Sequence, residues 1–137
     1  MDYNQISKET MGHLYAAYKN LQASPLTPDL KALLELRVSQ INDCAYCCNL
    51  HTQEALKAGV HNSQLKNLSQ WSGSSLFSDG QKSALKWAES LTTLDGNKKV
   101  QNTNLSDYFS PREIVDITLC VALMNCFNRI ALSMREE

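Results

Sequence analysis

Apolar positions recur every three or four residues along the chain, and no stretch alternates apolar with polar residues in the two-residue rhythm of a strand. Ile6, Leu14, Tyr15, Tyr18 and Leu21 share one face of a helix over residues 5 to 22. Ser24-Pro25 stops it, because a residue before proline is pushed out of the helical region. Thr27 can cap a new helix and Pro28 suits its first position, after which Leu30, Leu33, Leu34, Val38 and Ile41 mark a buried face to about Gln40. Asn42-Asp43 offers a turn and a second cap, so the next helix starts at or near Cys44 and runs to Ala58, where Gly59 closes it. A shorter helix is expected over residues 62 to 71, followed by the loop SGSSLFS as the expected mobile segment.

Two capping boxes follow. Ser78 with Gln81 opens a helix to about Leu94, and Ser110 with Glu113 opens the last one. That last helix, IVDITLCVALMNCFNRIALSM, is apolar nearly all round, which marks it as the central element or as one buried between subunits. Residues 95 to 109 form a polar connection. The pattern predicts an all-α fold of about six helices, one domain over residues 1 to 137, with no linker or internal repeat.

Composition narrows the function. The chain has 13 basic and 14 acidic side chains, scattered along it, so neither a nucleic-acid footprint nor an anionic-membrane footprint is present. The amino terminus MDYNQISKET lacks the basic-then-apolar layout of an export signal, and no unbroken apolar run approaches about 18 residues, so a cytoplasmic protein is expected. In that compartment the five cysteines are expected to be reduced, and a cluster of them points to redox or metal chemistry.

The cluster is NDCAYCCNLHT, residues 42 to 52. Cys44 and Cys47 are three apart, Cys47 and His51 four apart, so on a helix the three share a stripe. An i, i+3 pair on a helix lies about 5–6 Å apart at Cβ, near enough for a disulfide to open and close. His51 can take the Cys47 proton, whereas Cys44 lies about 10.5 Å of helical rise from His51. Spacing therefore casts Cys47 as nucleophile and Cys44 as resolving thiol. The helix start would also favour a Cys44 thiolate, and Cys48, four from Cys44 and three from His51, leaves a second disulfide register open. A zinc-stabilised interaction module is the competing reading, but His13, His61, Cys120 and Cys126 lack the paired spacing of a second half-site.

With its surroundings, ELRVSQINDCAYCCNLHTQEALKAGV, the cluster resembles the carboxymuconolactone decarboxylase-like superfamily, in its alkylhydroperoxidase D-like branch. WSGSSLFSDGQKSALKWAESLTTL is similar to that family's segment after the active-site helix and MNCFNRIALSM to its closing helix, so the likeness covers most of residues 25 to 134. The resemblance implies an all-helical protein that assembles as a homotrimer or homohexamer. It also implies a peroxidase reaction in which Cys47 attacks a hydroperoxide, Cys44 resolves and His51 relays protons. No metal or bound cofactor is implied. The partners would be a hydroperoxide or disulfide substrate and an external dithiol reductant, a protein among the candidates. Two positions depart from the family: Ala32 stands where a glutamate is common, twelve residues before the first cysteine, and Tyr46 stands where some members have histidine. Glu35, one turn beyond Ala32, is the candidate to supply the carboxylate. General thiol-disulfide exchange by the same pair is the alternative activity. Lactone decarboxylation is expected less than redox chemistry, since it does not depend on the dithiol.

Overall fold

The computed structural model describes residues 1–94 and 104–135, and the described residues contain helices and no strands. The elements are α1 (Tyr3–Ile6), α2 (Lys8–Asn20), α3 (Pro28–Ile41), α4 (Ala45–Lys57), α5 (Asn62–Asn67), α6 (Asp79–Thr93) and α7 (Pro111–Met134). The expected first helix is broken at Ser7, where the backbone leaves the helical region. The expected helix over residues 62 to 71 likewise divides into α5 and a 3-10 segment, Leu68–Gly73, across a non-helical Gln70. Of the polar connection, residues 95–103 lie outside the described residues, and its end is a 3-10 turn, Leu105–Asp107, that buries Leu105 completely.

Both capping boxes form, with Ser78 and Ser110 each accepting from the amide three residues on. Thr27 makes no capping hydrogen bond, contrary to its expected role, so α3 starts on the fixed φ of Pro28 and the acidic Asp29 alone. The loop SGSSLFS is held at several points, among them a 3.4 Å hydrogen bond from Lys82 to the Ser72 carbonyl. Phe77 is buried, and the Leu76 carbonyl accepts a 3.0 Å hydrogen bond from Gln64.

The central element is α3 and not the last helix. Leu30 to Leu36, Val38 and Ser39 are all buried, and α3 packs against α4, α6 and α7. On α7 the inner face buries Asp116, Ile117, Cys120, Val121, Met124 and Asn128, while Val115, Leu119, Leu132 and Met134 remain exposed. The reason lies in the neighbours: α3 is covered on several sides, and α7 only along one stripe. By length and composition α7 could cross a membrane. Its inner polar groups are, however, tied to the bundle. Asp116 accepts from Ser24 at 2.7 Å and Arg112 at 2.8 Å, and Asn128 accepts from Asn42 at 2.9 Å and donates to Ser39 at 3.1 Å. These bonds require packed protein around them, as in a core helix.

Candidate redox site

The turn between α3 and α4 builds the site. Asp43 adopts a left-handed conformation (φ 55°), which lets the Cys44 amide donate to the Ser39 carbonyl at 3.1 Å and makes Cys44 the N-cap of α4. Below the turn, Asn42 donates to Asn125 at 3.0 Å and to Asn128 at 2.9 Å, fastening it to α7. Cys44 Sγ accepts from the Cys47 amide at 3.3 Å, the position of a capping side chain.

Cys44 and Cys47 are joined by a disulfide, with Cα atoms 5.2 Å apart, inside the usual range for such a bond. The register is therefore Cys44–Cys47, and Cys48 remains a free thiol, packed against the core. Burial, with a smaller contribution from Asp43, raises the Cys48 pKa, so it stays protonated where a nucleophile would ionise. Cys120 is almost wholly buried, and burial followed by the charge of Glu35 pushes its thiol well above the ordinary range.

His51, one turn along α4, is 5 % exposed. Its Nδ1 lies 2.8 Å from Glu54 Oε2 and 3.3 Å from Glu35 Oε2. One proton on Nδ1 cannot be fully shared, so Glu54 takes the hydrogen bond and Glu35 acts mainly as a close charge. Glu35 is nonetheless the stronger influence, because it is buried and Glu54 is part-exposed. Burial by itself would lower the His51 pKa; Glu35 and then Glu54 outweigh it, and the net shift is upward. With Nδ1 committed to carboxylates, Nε2 is left for a thiol or a substrate.

Glu35 comes from the central helix and is held from three sides. Tyr18 Oη donates to both of its oxygens, at 3.1 Å each, and Cys120 Sγ lies 3.8 Å from Oε1. Burial and the Glu35 charge raise the Tyr18 pKa, so the phenol is a fixed donor. Ala32 sits in the wall of a cavity of about 270 Å³ that Glu35 also lines. Glu35, one turn along α3 from Ala32, reaches the imidazole.

The four residues expected at the site, Cys44, Cys47, His51 and Glu35, are brought together. Two neighbours were missed. Glu54 had a signal, its i, i+3 spacing from His51, whereas Tyr18 reaches Glu35 only through the packing of α2 on α3. The ligand atoms of Glu35, His51 and Glu54 lie within 4.8 Å of one another, close enough to share a cation as well as a proton. Cys47 and His51 open onto a cavity of about 310 Å³ walled by Tyr15, Tyr18, Tyr46, Leu50, Met124 and Phe127.

Comparison with known proteins agrees with this architecture. The uncharacterised protein YdfG of Bacillus subtilis (strain 168) is 28 % identical over 137 residues, covering 98 % of this chain and 92 % of the relative. A structure of a protein of unknown function from Agrobacterium tumefaciens, named provisionally as an antioxidant defence protein AhpD, superposes with a TM-score of 0.91 at 28 % identity, over 100 % of this chain and 95 % of that one. An uncharacterised peroxidase-related protein from Silicibacter sp. TM1040 shares the fold, with a TM-score of 0.81 at 22 % identity over 94 % of this chain and 70 % of the other. Residues 8–90, which hold the disulfide, His51 and both carboxylates, match the profile of the carboxymuconolactone decarboxylase family. With that match over more than half its length, and an AhpD-like all-helical fold among the described residues, this chain belongs to the carboxymuconolactone decarboxylase family.

Proposed function

We propose that the protein is a thiol-dependent peroxidase. The observation that carries this reading is the Cys44–Cys47 bond, whose Cys47 lines a cavity together with a His51 held by Glu35 and Glu54. In the reduced protein, the Cys47 proton passes to His51 Nε2, and the imidazolium formed is stabilised by the two carboxylates. The Cys47 thiolate attacks the near oxygen of a hydroperoxide. The O–O bond breaks, the far oxygen takes the proton from His51 and leaves as an alcohol or water, and Cys47 becomes a sulfenic acid. The Cys44 thiol then attacks the Cys47 sulfur, releasing water and forming the disulfide. An external dithiol reduces it and supplies two electrons and two protons for the next turnover. No bound cofactor enters the cycle.

Cys47 is assigned as the attacking thiol because it shares the cavity with His51, while Cys44 is the less exposed of the pair and serves as the helix cap. A reducing, cytoplasmic setting suits a pair that must be recycled by a dithiol. Self-association as a trimer or hexamer would cover Val115 and Leu119 on the outer face of α7. A second reading, exchange with disulfide substrates, rests on the same Cys44–Cys47 pair, which needs no peroxide to open and close.

Peroxide consumption with and without a dithiol donor, set beside disulfide reduction under the same conditions, separates the readings. Peroxide loss that needs both the donor and Cys47 is expected. Disulfide reduction without any peroxide turnover would replace the first reading with the second.

A further inference from the structure

The cavity beside Cys47 has one chemical feature that the peroxidase cycle leaves unused. Arg135, directly after α7, stacks its guanidinium over the Tyr46 ring, 3.3 Å from the centroid. Both residues line the same cavity as Cys47. Among the described residues no carboxylate pairs with Arg135: Asp2, which lines the neighbouring groove, accepts instead from the Gln5 amide. A stacked guanidinium keeps its N–H edges free, so the ring fixes the cation in place and leaves its donors open.

Beside the polar Asn4, His51, Glu54 and Asn128, the wall carries an aromatic face that suits an apolar body. Tyr15 and Phe127 stack at 5.4 Å between centroids, Phe127 meets Tyr18 edge-on at 5.8 Å, and Met124 lies beside them. The cavity's 310 Å³ is about ten waters' worth of space, much more than hydrogen peroxide requires.

We propose that the cavity is a binding site for organic substrates that combine an apolar, ring-sized body with one carboxylate, the carboxylate held by Arg135 and the body by the aromatic wall. This rests on the reading of Cys47 as the reacting thiol, and it names the preferred substrate class as carboxylate-bearing organic hydroperoxides. Arg135 acts as a specificity-determining residue and takes no part in the bond changes.

The test uses ligands without a peroxide, so it is independent of turnover. Binding of 4-phenylbutyrate and of its neutral isostere 4-phenylbutanamide to the oxidised full-length protein is measured by calorimetry. The carboxylate should bind about three- to tenfold tighter than the amide, the worth of a partly solvated charge-assisted contact. Arg135→Gln should abolish that preference while leaving amide affinity within about twofold, and Arg135→Lys should retain part of it. Equal affinity for the two ligands, no binding of either, or a preference that survives Arg135→Gln would each overturn the proposal. Failure of peroxide turnover with a positive binding result would instead count against the peroxidase reading alone.

Discussion

Two cysteines stand close to one polar cluster, and the proposed function uses only one of them. Cys120 on α7 touches Glu35 directly and is almost wholly buried; a carboxylate beside a thiol opposes its ionisation, and burial adds to the effect. Cys47 on α4 shares a cavity with His51, and it is His51 that meets Glu35. In the proposed mechanism the imidazole acts between carboxylate and thiol, which reverses the sign. The same negative charge that opposes ionisation of Cys120 raises the His51 pKa, and under the proposed function a protonated imidazole would favour a Cys47 thiolate.

The sharpest break of this contrast is Cys47→Ser, which should reduce turnover to background in a peroxide-consumption assay, with Cys44→Ser reacting once and accumulating a sulfenic acid that a dimedone-type trap detects. His51→Gln comes next. Removing the proton carrier should slow turnover roughly 10²- to 10⁴-fold while leaving the disulfide able to form under strong oxidant. Glu35→Gln should cost about 10- to 100-fold, and Glu54→Gln less than about fivefold, because its charge is part-exposed and screened. Steady-state kinetics on the two variants orders the carboxylates; equal losses would mean that the hydrogen bond matters more than the buried charge.

A stability measurement sharpens the same point. The folded state raises the His51 pKa, so it binds that proton more tightly than the unfolded chain does. The resulting stability is fully present below the unfolded histidine value of about 6.5 and is lost as pH rises through the higher folded value. Denaturant midpoints of the oxidised protein should fall across that window in the wild type, and fall less in His51→Gln. The smallest effect belongs to the silent thiol: Cys120→Ala should leave activity within about twofold and cost on the order of 1 kcal/mol of stability.

Much of this was legible in the sequence because helical periodicity and capping are local. The two Ser-x-x-Gln/Glu boxes and the cysteine cluster at a helix start each depend on residues within one turn, and they fold as read. Choosing the central helix was a different kind of question. Both α3 and α7 are rich in apolar residues, and which one is surrounded depends on where the other helices pack, information spread over the whole chain. The same division runs through the site. Cys44, Cys47 and His51 lie on one stretch of chain, whereas Tyr18, Cys120 and Arg135 reach the cluster or its cavity from α2, α7 and the residue after it. Glu35 could be named from its place one turn beyond Ala32, but its hold on His51 depends on how α3 crosses α4.

The central claim is that Glu35, acting through His51, makes Cys47 a thiolate near neutral pH. The most direct measurement is the pH profile of Cys47 alkylation in the reduced protein, wild type against Glu35→Gln, with peptide mapping to assign the modified cysteine. The account predicts a wild-type Cys47 pKa below the ordinary thiol value of about 8.5, moving up toward it in Glu35→Gln. The same pKa and the same alkylation rate in both proteins would contradict it.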